Sequence, residues 1–336
     1  MFKDVPLIFE IGLVHGGVLG QAIALCDVIR DAGGTVVKFQ IHRSDWESSI
    51  HESFRVEISS QYSSRLDYWD KTGFSDEEWR ELFDHCRSIG LFPFASVFAP
   101  EGLDLLSKLN CEVVKLASGE VYNEHLIRAL LNGNFSVIAS LGLATEDVVD
   151  SLSARLEDRN LDYSLMQCCS AYPSSIAGQN LSSIKVLNRK YGCPIGLSDH
   201  TGSVFTVPFA ICHGAAFGEV HVVWDKRFFG PDSSASIQIS DLPILIEGVK
   251  LAKESLSQQE SIFQEPDVAM IQLFGHGLYA SRDISPGEVV SAEMFKSLKP
   301  IKGVSSLRLS QLEGRLIRKA MREGDCLREQ DIELAP

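Results

Sequence analysis

Eight short, β-rich apolar runs recur along the first two-thirds of the chain, each separated from the next by enough residues for a helix. They are Pro6–Gly12, Thr35–Ile41, Leu91–Val97, Val113–Ser118, Phe135–Leu141, Ser164–Ser170, Pro194–Asp199 and Gly218–Trp224. Strands joined by helical segments form parallel sheets, because a parallel pairing needs a crossover. Eight is the number that closes such a sheet into a (β/α)8, or TIM, barrel. The segments between agree. Gln21–Gly33 carries Ile23, Leu25, Val28 and Ile29 on a helical face. Ser75–Gly90 opens SDEEW, with Ser75 as N-cap and acids in the first turn, and stops at Gly90. Leu242–Leu256 is the expected eighth helix. Ser44–Gly73 is polar, rich in serine and aromatics, and is expected as an insertion of loop and short helices over the active face.

Beyond Leu256 the pattern changes. SQQESIFQEPD reads as a linker, and the remaining residues form short alternating runs with glycine punctuation. Within them Ile284–Phe295 and Met321–Ile332 resemble one another. The expected organisation is α/β: a barrel domain over 1–258, a linker over 259–274, and a small, mostly β module over 275–336.

Composition narrows the function. A formal charge of −14 makes nucleic acid and anionic membranes improbable partners. An anionic substrate would then need a local concentration of Lys, Arg and backbone N–H groups. No run reaches the roughly 18 apolar residues of a membrane span, and the start lacks a secretory signal, so a cytoplasmic protein is expected. The eight cysteines are scattered without a CxxC pair; buried thiols are expected rather than disulfides or cysteine-bound zinc.

Polar residues gather at the ends of the proposed strands, which a barrel brings to one face. Glu10 ends the first; Lys38 and Gln40 end the second; Ser96 the third; Lys115 and Ser118 the fourth; Ser140 the fifth. Tyr172 follows the sixth, Ser198 and His200 end the seventh, and Glu219 and His221 lie in the eighth. Singly, a strand lysine can face solvent and a serine can cap the next helix. Jointly, two lysines and three hydroxyls suit a phosphate and carboxylate cradle. His200 and His221, from neighbouring strands, suit a divalent first-row metal with oxygen ligands, Mn²⁺ above all, or else a metal-free hydrogen-bonded pair. His15, His42, His51, His85, His125, His213 and His276 are assigned structural or surface roles.

The motifs EIGLVHGG (Glu10–Gly17), VKFQ (Val37–Gln40), KLASGE (Lys115–Glu120), CCSAYPSS (Cys168–Ser175), GLSDHT (Gly196–Thr201), EVH (Glu219–His221) and GPD (Gly230–Asp232) resemble the N-acetylneuraminate synthase family. They occur in order over nearly the whole chain, and the tail is similar to that family's C-terminal SAF (antifreeze-like) domain. The resemblance implies condensation of phosphoenolpyruvate with an open-chain N-acylated hexosamine, giving a nonulosonic acid and phosphate by C–O cleavage. It implies that Lys38, Ser96, Lys115, Ser118 and Ser140 hold phosphoenolpyruvate, with Gln40 in support. His200 and His221 would ligate Mn²⁺, Glu10 would handle the proton of the attacking water, and Glu219 would orient the sugar or a metal-bound water. Tyr172 and Ser198 would line the sugar site.

The resemblance also implies a domain-swapped homodimer whose SAF domain supplies an arginine to the sugar of the partner barrel; Lys299 stands at that place. Val14-His15-Gly16 replaces a usual Asn-His-Asn, Ser170 a usual Asn, Leu141 a usual Thr, and Ser96 stands for a Thr. The same chemistry on a different sugar is therefore expected. Two alternatives are carried. One is a synthase acting on a phosphorylated aldose, with Arg43, Arg55 and Arg65 binding its phosphate. The other is a non-catalytic sugar-binding protein on the same fold.

Overall fold

A computed structural model describes residues 7–56, 60–257 and 265–333. The chain divides into two compact units, Met1–Gln258 and Gln259–Pro336.

In the first unit the eight runs become strands β1 (Leu7–Glu10), β2 (Val36–Ile41), β3 (Phe92–Val97), β4 (Val113–Leu116), β5 (Ser136–Ser140), β6 (Tyr163–Cys168), β7 (Ile195–Asp199) and β8 (Phe217–Val223). Each pairs in parallel with the next, and β1 closes on β8 with Glu10 opposite His221. Successive side chains of a strand alternate between faces. One set looks outward to the helices: Phe39 packs on Trp79 and Phe83 of helix Asp76–Ser88, at 5.9 and 5.8 Å between ring centroids. Burying Phe39 and Phe83 contributes about 1.5–3 kcal/mol each. The other set looks into the barrel, where small and large residues fit together: a Cβ on Gly196 would run into the Phe217 ring.

The helices form where the caps and periodicity place them. Asp76–Ser88 begins with a complete capping box. Ser75 Oγ accepts from the Glu78 N–H at 3.3 Å, and the Glu78 carboxylate accepts from the Ser75 N–H at 2.8 Å. Ser75→Ala should cost about 1 kcal/mol. In chemical denaturation this would appear as a lower midpoint at unchanged slope; an unmoved midpoint would show that the cap contributes nothing here. The helices at Leu19–Asp31 and Leu242–Ser255 lie where expected. Among its described residues the insertion holds two short helices, Ser44–Glu47 and Arg65–Thr72.

In the second unit, strands Gly277–Ala280 and Phe295–Leu298 pair antiparallel around a small core that includes Leu278, Val290, Ile317 and Leu327. The two similar segments meet at their first residues, Ile284 bridging Met321, and each carries a 3-10 turn near its end. The stretch expected as linker contains one helix among its described residues. Residues 258–264 lie outside the described residues, but Val268–Phe274 (VAMIQLF) is a helix, capped by Asp267, whose carboxylate accepts from the Ala269 N–H at 2.8 Å. Among the described residues no helix is long and apolar enough to cross a membrane.

Candidate active site

The inward alternation of the strands stacks polar side chains at the carboxyl end of the barrel. Glu10, Lys38, Ser96, Lys115, Ser198 and Glu219 are all at most 3% exposed. Such burial of charge is tolerable only with pairing, and the pairs are present. Lys38 ion-pairs with Glu10 and lies 3.5 Å from Glu219; Lys115 is 2.7 Å from Glu219. Lys38 also donates to Ser96 Oγ at 3.1 Å, and Ser198 Oγ to Glu219 at 3.3 Å. The result is a buried, formally neutral quartet of two ammoniums and two carboxylates. Burial lowers the Lys38 ammonium to about 7 against the pull of Glu219. Burial alone would push the Glu219 carboxyl up, but the ammoniums of Lys115 and Lys38 hold it below the ordinary carboxylate range.

The remaining hydroxyls border this quartet. Ser140 and Ser170 have buried oxygens without a partner among the described residues. Ser118, half-buried, lies 3.7 Å from the Cys168 thiol. Gly142 keeps this wall thin, since a Cβ there would meet Ser170, Ser118 and Cys168. Buried hydroxyls without partners are uncommon in folded proteins and mark a place for a polar ligand. Gly12, at φ +54°, turns the chain behind β1 so that its N–H donates to Glu10; a Cβ there would come within 3.5 Å of Glu10 Oε1 and 3.6 Å of His221 Nδ1.

His200 and His221 face each other at 5.4 Å between ring centroids. His200 Nδ1 lies 2.7 Å from the Cys169 carbonyl, which can only accept, so the proton sits on Nδ1 and Nε2 keeps its lone pair. Burial, then the neighbouring His221, lowers His200 to about 3, and burial lowers His221 as well. Both rings are thus neutral near pH 7, the form that ligates metal. Among the described residues no three His, Cys, Asp or Glu side chains form a metal cage. The pair fits a divalent ion that takes two imidazoles and fills its other positions with water or substrate oxygen.

Tyr172 stacks on His200 at 4.0 Å and meets His221 edge-on at 5.9 Å. Gln40 is steadied from behind. His42, sandwiched between Trp69 and Phe98 at 3.8 and 4.1 Å, reaches Gln40 Oε1 from Nε2 at 3.0 Å and Glu47 from Nδ1 at 2.9 Å. Burial keeps His42 neutral and raises Glu47 to about 8, so a protonated Glu47 can donate to Nδ1 while Nε2 donates to Gln40. The structural role expected for His42 thus includes orienting Gln40.

Twelve of the thirteen expected site residues belong to the barrel unit. The thirteenth, Lys299, is exposed in the second unit, with its Nζ 5.8 Å from the Phe274 ring. Each arginine considered for a second phosphate is paired with a carboxylate: Arg43 with Asp76, Arg65 with Glu52 and Arg55 with Asp232. Two neighbours of the site were not assigned from sequence, Asp232 and Ser170. Asp232 Oδ2 stands 3.9 Å from His221 Nδ1. Its GPD motif, in the loop after β8, was the available signal, since barrel sites are built from such loops.

Residues 25–261 match the NeuB family, and residues 276–333 match the SAF domain. The chain belongs to the NeuB family. Similar proteins span nearly its full length. A pseudaminic acid synthase of Campylobacter jejuni subsp. jejuni serotype O:23/36 is 28% identical over 98% of this chain and 97% of its own. An N-acetylneuraminate-9-phosphate synthase of Mus musculus is 25% identical over 97% of this chain and 92% of its own. Among solved structures, the N-acetylneuraminic acid (sialic acid) synthetase of Leptospira borgpetersenii serovar Hardjo-bovis, in complex with citrate, superposes with a TM-score of 0.69 at 25% identity. That likeness covers 80% of this chain and 89% of the other. This NeuB-family chain, a TIM barrel with a C-terminal SAF domain, is an enzyme of the nonulosonic-acid synthase type. The relatives' names differ in their acid, so family membership leaves the sugar open.

Proposed function

We propose that the enzyme condenses phosphoenolpyruvate with an open-chain, N-acylated hexosamine, giving a nonulosonic acid and phosphate. The observation that carries this reading is the buried lysine–glutamate quartet, bordered by the unpartnered hydroxyls of Ser140 and Ser170 and facing the His200–His221 pair.

Lys38 and Lys115, with Ser96, Ser118 and Ser140, hold the phosphate and carboxylate of phosphoenolpyruvate, and Gln40 supports them. The incoming anion competes for ammoniums that Glu10 and Glu219 hold in its absence. As Lys38 turns to the anion, Glu10, fully buried, loses its counter-charge and becomes more basic. That suits it to take a proton from water. Glu219 keeps Ser198 and orients the sugar, whose chain runs past Tyr172. His200 and His221 would hold a divalent cation, Mn²⁺ in our reading, which when bound polarises an aldehyde oxygen as a Lewis acid.

In the reaction, the carbon 2–carbon 3 π pair of phosphoenolpyruvate forms a bond from carbon 3 to the aldehyde carbon. The aldehyde π pair moves to its oxygen, which takes up a proton, and carbon 2 is left as a cation. Water adds at carbon 2 with its proton passing to Glu10, and the tetrahedral intermediate expels phosphate by breaking the C–O bond. The working form in this reading is a domain-swapped homodimer in the cytoplasm, with Lys299 of one subunit's SAF domain at the other's sugar site. Phosphoenolpyruvate labelled in its bridging oxygen tests the chemistry: the label should leave with phosphate. Label retained in the sugar acid would mean P–O cleavage and overturn the mechanism.

A further inference from the structure

Arg55 is a charged residue of the barrel mouth for which the proposed chemistry has no use. It comes from the insertion, not from a strand. Its guanidinium lies 4.2 Å from the centroid of Tyr172, on a ring whose other face is taken by His200. Its Nη2 donates to the Pro231 carbonyl at 3.2 Å and to the Asp232 carboxylate. Asp232 is the group that faces His221. One side chain thus bridges the neighbours of both imidazoles.

An exposed ion pair stabilises little, and the Arg55 side chain is 41% exposed. The geometry does more for direction than for stability. A guanidinium is planar, with five N–H donors in fixed positions. Held over Tyr172 and anchored through Nη2, it leaves its remaining N–H edge free to point away from Pro231 and Asp232. Among the described residues, Nε and Nη1 have no partner. An incoming group that accepts a hydrogen bond there sits beside Tyr172 and the imidazole pair, and also beside the Asp232 carboxylate. A second anion in that place would be repelled by Asp232. A neutral oxygen would not.

We infer that Arg55 is a specificity-determining residue of the acceptor end, carrying a neutral carbonyl or hydroxyl oxygen of the sugar on its open N–H edge, with Asp232 disfavouring an anionic substituent there. The inference rests on the condensation reading and narrows it to acceptors that are unphosphorylated at the group meeting Arg55.

The test compares wild type, Arg55→Met and Arg55→Lys in steady state, varying phosphoenolpyruvate and then the sugar, with free and phosphorylated N-acetylhexosamines. Loss of a charge-assisted hydrogen bond should raise the acceptor KM about 10- to 100-fold in the methionine variant. The KM for phosphoenolpyruvate should stay within about two-fold. Lysine should not rescue, because it lacks the planar fork and the stacking face. An unchanged acceptor KM would overturn the inference. So would an equal rise in both KM values with a lower melting temperature, which marks a structural role, or a wild-type preference for the phosphorylated sugar. Should wild type consume no phosphoenolpyruvate with any sugar, the condensation reading itself fails. Arg55 is then judged by calorimetric binding of N-acetylmannosamine, where equal affinity of wild type and Arg55→Met overturns the inference.

Discussion

Lys115→Met should weaken phosphoenolpyruvate binding about 10- to 150-fold, the loss of one charge-assisted contact of about 1.5–3 kcal/mol. Lys115 is 2% exposed and 2.7 Å from Glu219, so the substitution acts on the fold as well as on the ligand. Removing one member of a buried ion pair costs about 3–5 kcal/mol, because the other charge stays buried. Here Glu219 keeps Lys38 at 3.5 Å and Ser198 at 3.3 Å, which places the cost near the lower end. The double variant Lys115→Met/Glu219→Gln removes the orphaned charge. It should recover most of the stability and none of the affinity. That separation is the decisive part: calorimetry reads the affinity and chemical denaturation the stability. Phosphoenolpyruvate affinity unchanged in Lys115→Met would remove this lysine from the cradle.

His221→Ala should empty the metal site. The pair of neutral imidazoles is the whole of the imidazole donor set proposed, so losing one halves it. The expected loss exceeds the 10- to 100-fold typical of removing a mere outer-shell partner of a ligand. After dialysis against buffer with trace Mn²⁺, elemental analysis should find metal in the wild type and almost none in the variant. Turnover should fall with it and return partly at high Mn²⁺. His125→Ala, outside the barrel mouth, serves as control with metal content unchanged. Full occupancy in His221→Ala would mean that His221 is not a ligand.

Much of this architecture is legible before any coordinates. The eight runs become the eight strands because each is a short, largely apolar stretch bounded by turn residues, and period-two alternation then fixes which side chains look inward. Ser75 announces its helix through a local capping pattern that needs no tertiary contact. What the chain does not reveal is pairing across the barrel. Lys115 and Glu219 are far apart in sequence and meet only because β1 closes on β8. From the strand pattern alone the lysines suit phosphate and the glutamates suit proton and sugar, while in the folded chain they neutralise one another.

Loops hide more. Arg55 and Asp232 follow no period, and their meeting depends on how two long connections fold over the mouth. Gln40 was assigned its place from the VKFQ motif, but its support by His42 and a protonated Glu47 rests on burial, which no local pattern states. The helix at Val268–Phe274 was missed because seven residues are too few to set a helical period against polar surroundings.

The most direct test is phosphate release from phosphoenolpyruvate by the purified, full-length enzyme with Mn²⁺, across free and phosphorylated N-acyl hexosamines. Release that requires both the metal and one unphosphorylated sugar, with a nonulosonic acid as co-product, is the result expected. No release with any sugar, together with no binding of phosphoenolpyruvate, would contradict the account at its centre.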